Sequence, residues 1–244
     1  MNKSVTLALK LRSIIFLIGY GITALWFGSS AMLLYFTPFS VRSKYLLLWN
    51  HFICWWIKVC CGINYRIIGA ENLTNHGTVV VLSKHQSSLE TLYLQLMFQP
   101  LSTILKRELL RIPGFGWGLR LIKPIAIDRG NPRQALRQVM EQGKERLAEN
   151  MSVLIFPEGT RIKPGQTAKH AKSGSALAIA AGVDVIPVAH NAGEFWPTDG
   201  YVKFPGTVTI SIGERISSKG KTAEQLKEEA RVWMELECDK ISIL

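Results

Sequence analysis

The chain has 244 residues, enough for one large domain or two small ones, and it carries a formal net charge of +11. Such a charge favours binding to an anionic membrane, a phosphorylated ligand or nucleic acid, or it serves only to keep the protein surface soluble. Among these, the positive mean hydropathy of +0.15 favours the membrane. The basic residues are scattered without a nucleic-acid-binding motif. The four cysteines form no Cys-x-x-Cys pair and no cluster with histidine, which argues against a zinc site or a disulfide framework.

The first predicted element is a long apolar helix near the N-terminus. No charged residue lies between Ser13 and Phe36, and a helix of that length would measure about 36 Å, enough to cross a hydrocarbon core of about 30 Å. Basic residues flank it on both sides, so their distribution does not set an orientation; they are Lys3, Lys10 and Arg12 before it and Arg42 and Lys44 after it.

A second apolar run, Tyr45–Cys61, contains three tryptophans, and Pro38 marks a bend between the runs. Because tryptophan prefers the membrane interface, a helical hairpin that enters and leaves one leaflet is an alternative to a single span. A cleavable signal peptide and a buried hairpin of a soluble protein are two further alternatives. We predict a membrane-associated helical segment over residues 1–61.

After Gly62 the pattern alternates between short β-rich runs and helical stretches. This alternation predicts an α/β domain over residues 62–244, in which a mostly parallel central sheet is flanked by helices. The predicted strands are Tyr65–Ile68, Thr78–Ser83, Ile125–Asp128, Ser152–Phe156, Asp184–Ala189 and Thr207–Ile212; the predicted helices are Ser88–Phe98, Pro132–Glu149, Ser173–Ala181 and Ala223–Ile241.

The first candidate catalytic segment is residues 84–90, KHQSSLE, directly after a predicted strand. A histidine can take a proton from an alcohol, and a carboxylate can hold its tautomer. On one continuous helix His85 and Glu90 would point about 140° apart, so we expect His85 in the loop before the helix and Glu90 in its first turn. The alternative is structural: Ser87 and Glu90 would form a capping box, and His85 would be an ordinary hydrogen-bonded polar residue.

The sequence has no nucleophile elbow and no cysteine beside a base. Direct attack by a substrate hydroxyl is therefore a simpler scheme than a covalent enzyme intermediate.

Three segments supply cations that could bind a phosphate group. Residues 156–161, FPEGTR, would form a tight loop that projects Glu158 and Arg161, and the planar fork of arginine suits phosphate. Lys106 and Arg129 are two further candidate cations, and Arg129 directly follows the predicted strand Ile125–Asp128. The alternatives are an internal ion pair between Glu158 and Arg161 and, for the other cations, a solvated basic surface.

Four segments of the chain resemble motifs of the 1-acylglycerol-3-phosphate acyltransferases, within the glycerolipid acyltransferase superfamily. The first motif is a histidine followed after four residues by an aspartate, and the chain has HQSSLE with Glu90 in the place of that aspartate. IAIDR at residues 125–129 resembles the second motif, FPEGTR matches the third, and VIPVA at residues 185–189 resembles the fourth. The resemblance covers residues 62–215. Glu90 keeps the charge of the family's aspartate and adds one methylene group.

The resemblance implies transfer of an acyl group from a thioester, on coenzyme A or acyl carrier protein, to the sn-2 hydroxyl of lysophosphatidic acid. His85 would be the catalytic base and Glu90 its orienting partner. Glu158 and Gly159 would line the acceptor glycerol, and Arg161 would hold the phosphate together with two other cations. The substrate-binding set that the resemblance implies is Lys106, Arg129, Glu158, Gly159, Thr160 and Arg161.

The resemblance also implies no metal and no redox cofactor. The expected partners are lysophosphatidic acid, the acyl carrier and anionic membrane lipids, and no nucleic acid. The expected location is the cytoplasmic side of the inner membrane. Two alternatives stay open: the same chemistry on another lysolipid or on glycerol phosphate, and a non-catalytic membrane-binding homologue.

Overall fold

The structure is a computed structural model that describes residues 5–74, 77–128 and 130–244. Within these ranges the strands form one seven-stranded sheet in the order β1-β7-β6-β2-β5-β3-β4, and every neighbouring pair is parallel except β6 with β7. The strands are β1 Ile63–Ile68, β2 Val80–Ser83, β3 Leu101–Lys106, β4 Ile125–Ile127, β5 Ser152–Ile155, β6 Val185–His190 and β7 Gly206–Ile212. The predicted mostly parallel α/β sheet is confirmed.

Local sequence signals place the ends of several helices. The side chain of Asn131 accepts the backbone N–H of Gln134 at the start of α5, and Thr222 and Gln225 form a capping box at the start of α7. Gly182, with φ of 67°, ends α6. The helices are α1 Leu7–Ser30, α2 Phe39–Cys61, α3 Leu89–Met97, α4 Phe115–Leu121, α5 Pro132–Ala148, α6 Ser173–Ala181 and α7 Ala223–Ile241.

The sequence reasoning missed two elements, β3 and α4. The β3 run, LSTILK, mixes polar and apolar residues without strict alternation, and α4 carries Gly116 and Gly118, which are poor helix formers. Both glycines are required by packing. A Cβ on Gly118 would lie 2.9 Å from the Cα of Gly28 in α1, and one on Gly116 would lie 2.6 Å from the carbonyl oxygen of Leu109. The helix therefore forms because tertiary contacts outweigh its weak propensity.

Helices cover both faces of the sheet, and the two faces bury different clusters. On one face α1, α2 and α3 pack on the sheet in a core that includes Phe16, Ile53 and Ile186. On the other face α5, α6 and α7 pack on the sheet through residues such as Leu177 and Ala230. The N-terminal apolar helices thus share a core with the sheet.

The first two helices pair as an antiparallel hairpin. Arg12 Nε donates to the carbonyl of Cys60 at 2.6 Å, and Trp49 Nε1 donates to Thr23 Oγ1 at 3.1 Å, so early α1 meets late α2. Leu7–Leu34 is the one helical stretch within the described ranges that is long and apolar enough to cross a membrane, and only 22% of its most apolar window is buried. The helix is therefore a candidate for membrane association.

Candidate active site

The two candidate segments lie side by side at the carboxyl end of the sheet. Strands β2 and β5 are parallel neighbours, with Leu82 opposite Ile155. Their following loops, residues 84–88 and 156–161, therefore leave the same edge of the sheet. Two hydrogen bonds join the loops: Glu158 Oε2 accepts the backbone N–H of His85 at 2.8 Å, and the backbone N–H of Ile162 donates to the carbonyl of His85 at 2.7 Å.

His85 and Glu90 meet in the arrangement that their spacing requires. His85 lies in the loop before α3, Glu90 lies in the first turn of α3, and His85 Nδ1 is 2.7 Å from Glu90 Oε1. The same carboxylate oxygen accepts the backbone N–H groups of Gln86 and Ser87 at 3.1 and 3.0 Å. Glu90 therefore contacts the imidazole and also satisfies the start of the helix, so the two roles considered for it are compatible.

The surroundings of Glu90 favour its ionised form although its side chain is buried. Burial alone would raise the pKa of Glu90, but His190, the hydrogen bond from His85 and the N–H of Ser87 outweigh it and lower the pKa. An ionised Glu90 accepts a hydrogen bond from the Nδ1–H group of His85, which leaves the ring's lone pair on Nε2. The ring of His85 stacks on Phe156 with centroids 4.0 Å apart. The imidazole is thus fixed in one tautomer and one plane.

The side chain of Glu158 lies beneath the loop of His85. It is 0% exposed, and its Oε1 lies 2.5 Å from Lys84 Nζ, so its ionic partner is Lys84. The internal pair between Glu158 and Arg161, considered from the sequence, is not the arrangement found. The assignment of Glu158 to the acceptor glycerol stays a prediction, because its observed contacts are with the loop.

A cavity of about 660 Å³ opens beside the histidine. His85, Thr160, Arg161 and Lys106 line it. Most of its remaining wall comes from α2, α3, β3, α4 and the residues that adjoin them. This part includes the apolar side chains of Leu46, Leu47, Leu92, Leu101, Ile104, Leu109, Phe115, Leu119 and Ile122. The cavity combines a proton acceptor, two cations and an apolar wall, as an amphiphile with an anionic headgroup requires.

The other predicted binding residues are placed as follows. Lys106 is half exposed and lies 3.6 Å from Glu108, while Gly159 turns the loop with φ of 69°. Within the parts of the chain that the structure describes, a Cβ on Gly159 would meet no atom within 4 Å, so its conformation requires glycine and its surroundings do not. Arg129 lies outside the described residues.

Sequence reasoning missed four charged or titratable residues around the catalytic loop. Lys84 precedes His85 directly, and its Nζ lies 2.8 Å from Glu235 Oε1 of α7. His190 is buried in β6, and its Nε2 donates to the carbonyl of Lys84 at 2.8 Å. His170 Nε2 lies 3.5 Å from Glu235 Oε1. Position at a strand end could have identified Lys84, whereas no local signal connects the loop to Glu235, which lies 151 residues after Lys84.

His170 gives a prediction for stability at acid pH. Burial and the positive charge of Lys84 lower the pKa of His170 from 6.5 to about 4. Between these values the unfolded chain binds the proton and the folded chain does not, so stability falls as the pH drops from about 6.5 towards 4. We expect the melting temperature of the variant His170→Gln to fall less between pH 7 and pH 5 than that of the unmodified chain. An equal fall in both proteins would contradict this assignment.

Comparison with known proteins is consistent with the geometry. The sequence profile of the acyltransferase family matches residues 64–191. A 1-acyl-sn-glycerol-3-phosphate acyltransferase of Pseudomonas aeruginosa is 46% identical over 201 residues, which cover 81% of this chain and 78% of that protein. The human 1-acyl-sn-glycerol-3-phosphate acyltransferase beta is 30% identical over 168 residues, covering 68% of this chain and 60% of that protein.

The fold also matches a solved structure. The crystal structure of the 1-acyl-sn-glycerophosphate acyltransferase PlsC from Thermotoga maritima superposes with a TM-score of 0.79 over 96% of both chains, at 22% sequence identity. At that identity the match supports the whole architecture, including the N-terminal helices, and says nothing of the substrate.

Proposed function

This chain belongs to the acyltransferase family, and from that premise we propose that it moves a fatty acyl group from a thioester to the sn-2 hydroxyl of 1-acylglycerol 3-phosphate, giving phosphatidic acid. The observation that carries the proposal is the His85–Glu90 pair at a cavity with an apolar wall and two cations. The acceptor is the one that the Pseudomonas aeruginosa relative is named for.

The geometry supports direct transfer with a general base. Nε2 of His85 takes the proton of the 2-hydroxyl as that oxygen attacks the thioester carbonyl carbon, and Glu90 stabilises the imidazolium that forms. The tetrahedral intermediate then collapses, the C–S bond breaks, and the thiolate leaves with the proton from the imidazolium. A thioester is already activated, so positioning and proton transfer are sufficient, and we propose that the reaction needs no metal and no redox cofactor.

The binding roles follow from where the cations lie. Arg161 and Lys106 line the cavity and would hold the phosphate of the acceptor, while the apolar wall would receive a hydrocarbon chain. The donor would be acyl-CoA or acyl carrier protein. We place the catalytic domain on the cytoplasmic side of the inner membrane, with its net charge of +11 favouring anionic lipids.

A panel of substrates tests this proposal. The purified protein is offered labelled acyl-CoA or labelled acyl carrier protein with lysophosphatidic acid, other lysophospholipids, or glycerol 3-phosphate. We expect lysophosphatidic acid to give the highest kcat/KM. A preference for another lysolipid would keep the chemistry and change the acceptor, whereas binding to vesicles without turnover on any acceptor would indicate a non-catalytic homologue.

Changing Glu90 tests its orienting role. Glu90→Gln keeps the length of the side chain but removes the charge that fixes the tautomer of His85, and we expect kcat to fall by about 100-fold. Glu90→Asp keeps the charge and withdraws the carboxylate by one methylene, and we expect a smaller loss, on the order of 10-fold. Steady-state kinetics at saturating substrates measure both. Equal kcat values for Glu90→Gln and the unmodified enzyme would contradict the role.

A further inference from the structure

A group of charged side chains contacts the catalytic loop, and none of its members lines the cavity. Lys84 Nζ lies 2.5 Å from Glu158 Oε1 and 2.8 Å from Glu235 Oε1. The side chains of Lys84 and Glu158 are 2% and 0% exposed, and that of Glu235 is 17% exposed. Buried charges are stable in a protein only when they are paired, so these three groups depend on one another.

The group is connected to the main chain of His85. Glu158 uses one carboxylate oxygen for Lys84 and the other for the backbone N–H of His85, at 2.8 Å. A continuous path therefore runs from Glu235 in α7, through Lys84 and Glu158, to the residue that carries the imidazole. The carbonyl of Lys84 is also held, because it accepts hydrogen bonds from His190 Nε2 at 2.8 Å and Ser83 Oγ at 3.0 Å.

An ammonium group fills the place that a metal ion would take. Glu158, His170 and Glu235 have ligand atoms within 4.8 Å of one another, a spacing that a metal site also shows. Lys84 Nζ, however, contacts two of the three groups. Burial alone would lower the pKa of Lys84, but its two carboxylate partners outweigh that effect and raise it, so the side chain stays charged. The two carboxylates thus already have a cation between them.

We propose that Lys84 and Glu235 are positioning residues for the acyl transfer reaction. They hold Glu158, and through Glu158 the backbone of His85, so that the imidazole faces the cavity in a fixed place. This inference rests on the proposed function, because it assigns the path a role in catalysis. The path also links α7 to the active site, although neither Lys84 nor Glu235 lies among the residues that line the cavity.

The variant Glu235→Gln tests the proposal with little risk of unfolding. It removes one charge and leaves Lys84 paired with Glu158, so the buried charges still balance. We expect kcat to fall by about 10-fold, less than the 10²-fold that a misplacement of 1 Å can cost, with KM for both substrates unchanged. The matched control is Glu228→Gln, which removes an exposed carboxylate paired with Arg231 on the same helix and should leave kcat unchanged.

Two further measurements separate positioning from general stability. In samples labelled with ¹⁵N-histidine, the Nδ1–H signal of His85, identified by its loss in His85→Ala, should shift in Glu235→Gln and stay in place in Glu228→Gln. We expect a lower kcat in Lys84→Met than in Glu235→Gln. The double variant should have the same kcat as Lys84→Met, because both changes interrupt the same chain of contacts from Glu235 to His85. If Lys84→Met does not fold, Glu235→Gln alone decides.

Several results would overturn the proposal. They are an unchanged kcat in Glu235→Gln, a loss that lies in KM, an equal loss in Glu228→Gln, and inactivation by EDTA that added Mg²⁺ or Zn²⁺ reverses. Failure of the proposed function would look different. The unmodified protein would then be inactive with every acceptor, while the shift of the His85 signal in Glu235→Gln would still decide whether the path holds the imidazole.

Discussion

Replacing His85 with alanine is expected to lower kcat by about 1,000-fold while the protein stays folded, because it removes the group that accepts the proton of the attacking hydroxyl. The side chain is 11% exposed and lines the cavity, so its loss changes the chemistry more than the core. Glu90 also accepts the backbone N–H groups of Gln86 and Ser87, and we expect these hydrogen bonds to hold it in place in the variant. The measurement is the initial rate of transfer at saturating substrates, with the melting temperature recorded in parallel.

The matched control is a histidine elsewhere on the chain. His51 is exposed on α2, and His51→Ala should retain full kcat. If His85→Ala kept more than a tenth of the activity at an unchanged melting temperature, a general base at this position would be contradicted, whatever the substrate.

Replacing Arg161 with alanine is expected to lower kcat/KM for lysophosphatidic acid by about 100-fold, mainly through KM. A bidentate arginine–phosphate contact is strong and geometrically specific. Arg161 is exposed and lines the cavity, and no carboxylate within the described ranges forms an ion pair with it, so it is available to a ligand. Arg161→Lys should recover part of the loss, since lysine keeps the charge and loses the fork.

A comparison of two acceptors shows whether Arg161→Ala lowers kcat/KM because the contact with the phosphate is lost. With monoacylglycerol, which lacks the phosphate, Arg161→Ala should change kcat/KM little, so the preference for the phosphorylated acceptor should collapse. Arg137→Ala is the control, because Arg137 is an exposed cation paired with Glu141 on α5. An equal loss with both acceptors would show that Arg161 acts on the loop and not on the phosphate.

Some features of the site and the fold were predictable because each depends on residues that lie close together in the sequence. The spacing of five residues between His85 and Glu90 allows contact only across a loop–helix junction, and the contact lies there at 2.7 Å. The caps of α5, α6 and α7 follow in the same way from Asn131, Gly182 and Thr222. Each of these depends on neighbouring residues alone.

The parts that could not be predicted depend on contacts between distant residues. Helix α4 forms with two glycines because it packs tightly against α1, and much of the cavity wall comes from α4 and β3. The motif that contains Glu158 did not indicate the contacts of this side chain with Lys84 and the main chain of His85. Lys84 also contacts Glu235, which lies 151 residues later in the sequence. No pattern around either residue predicts this contact.

The most direct test of the proposed function is to identify the product that the purified protein forms from lysophosphatidic acid and a ¹⁴C-acyl thioester. We expect the unmodified protein, and not His85→Ala, to form phosphatidic acid with the label at the sn-2 position and to release one equivalent of thiol. Absence of labelled phosphatidic acid from a folded, membrane-reconstituted protein, or equal formation by His85→Ala, would contradict it.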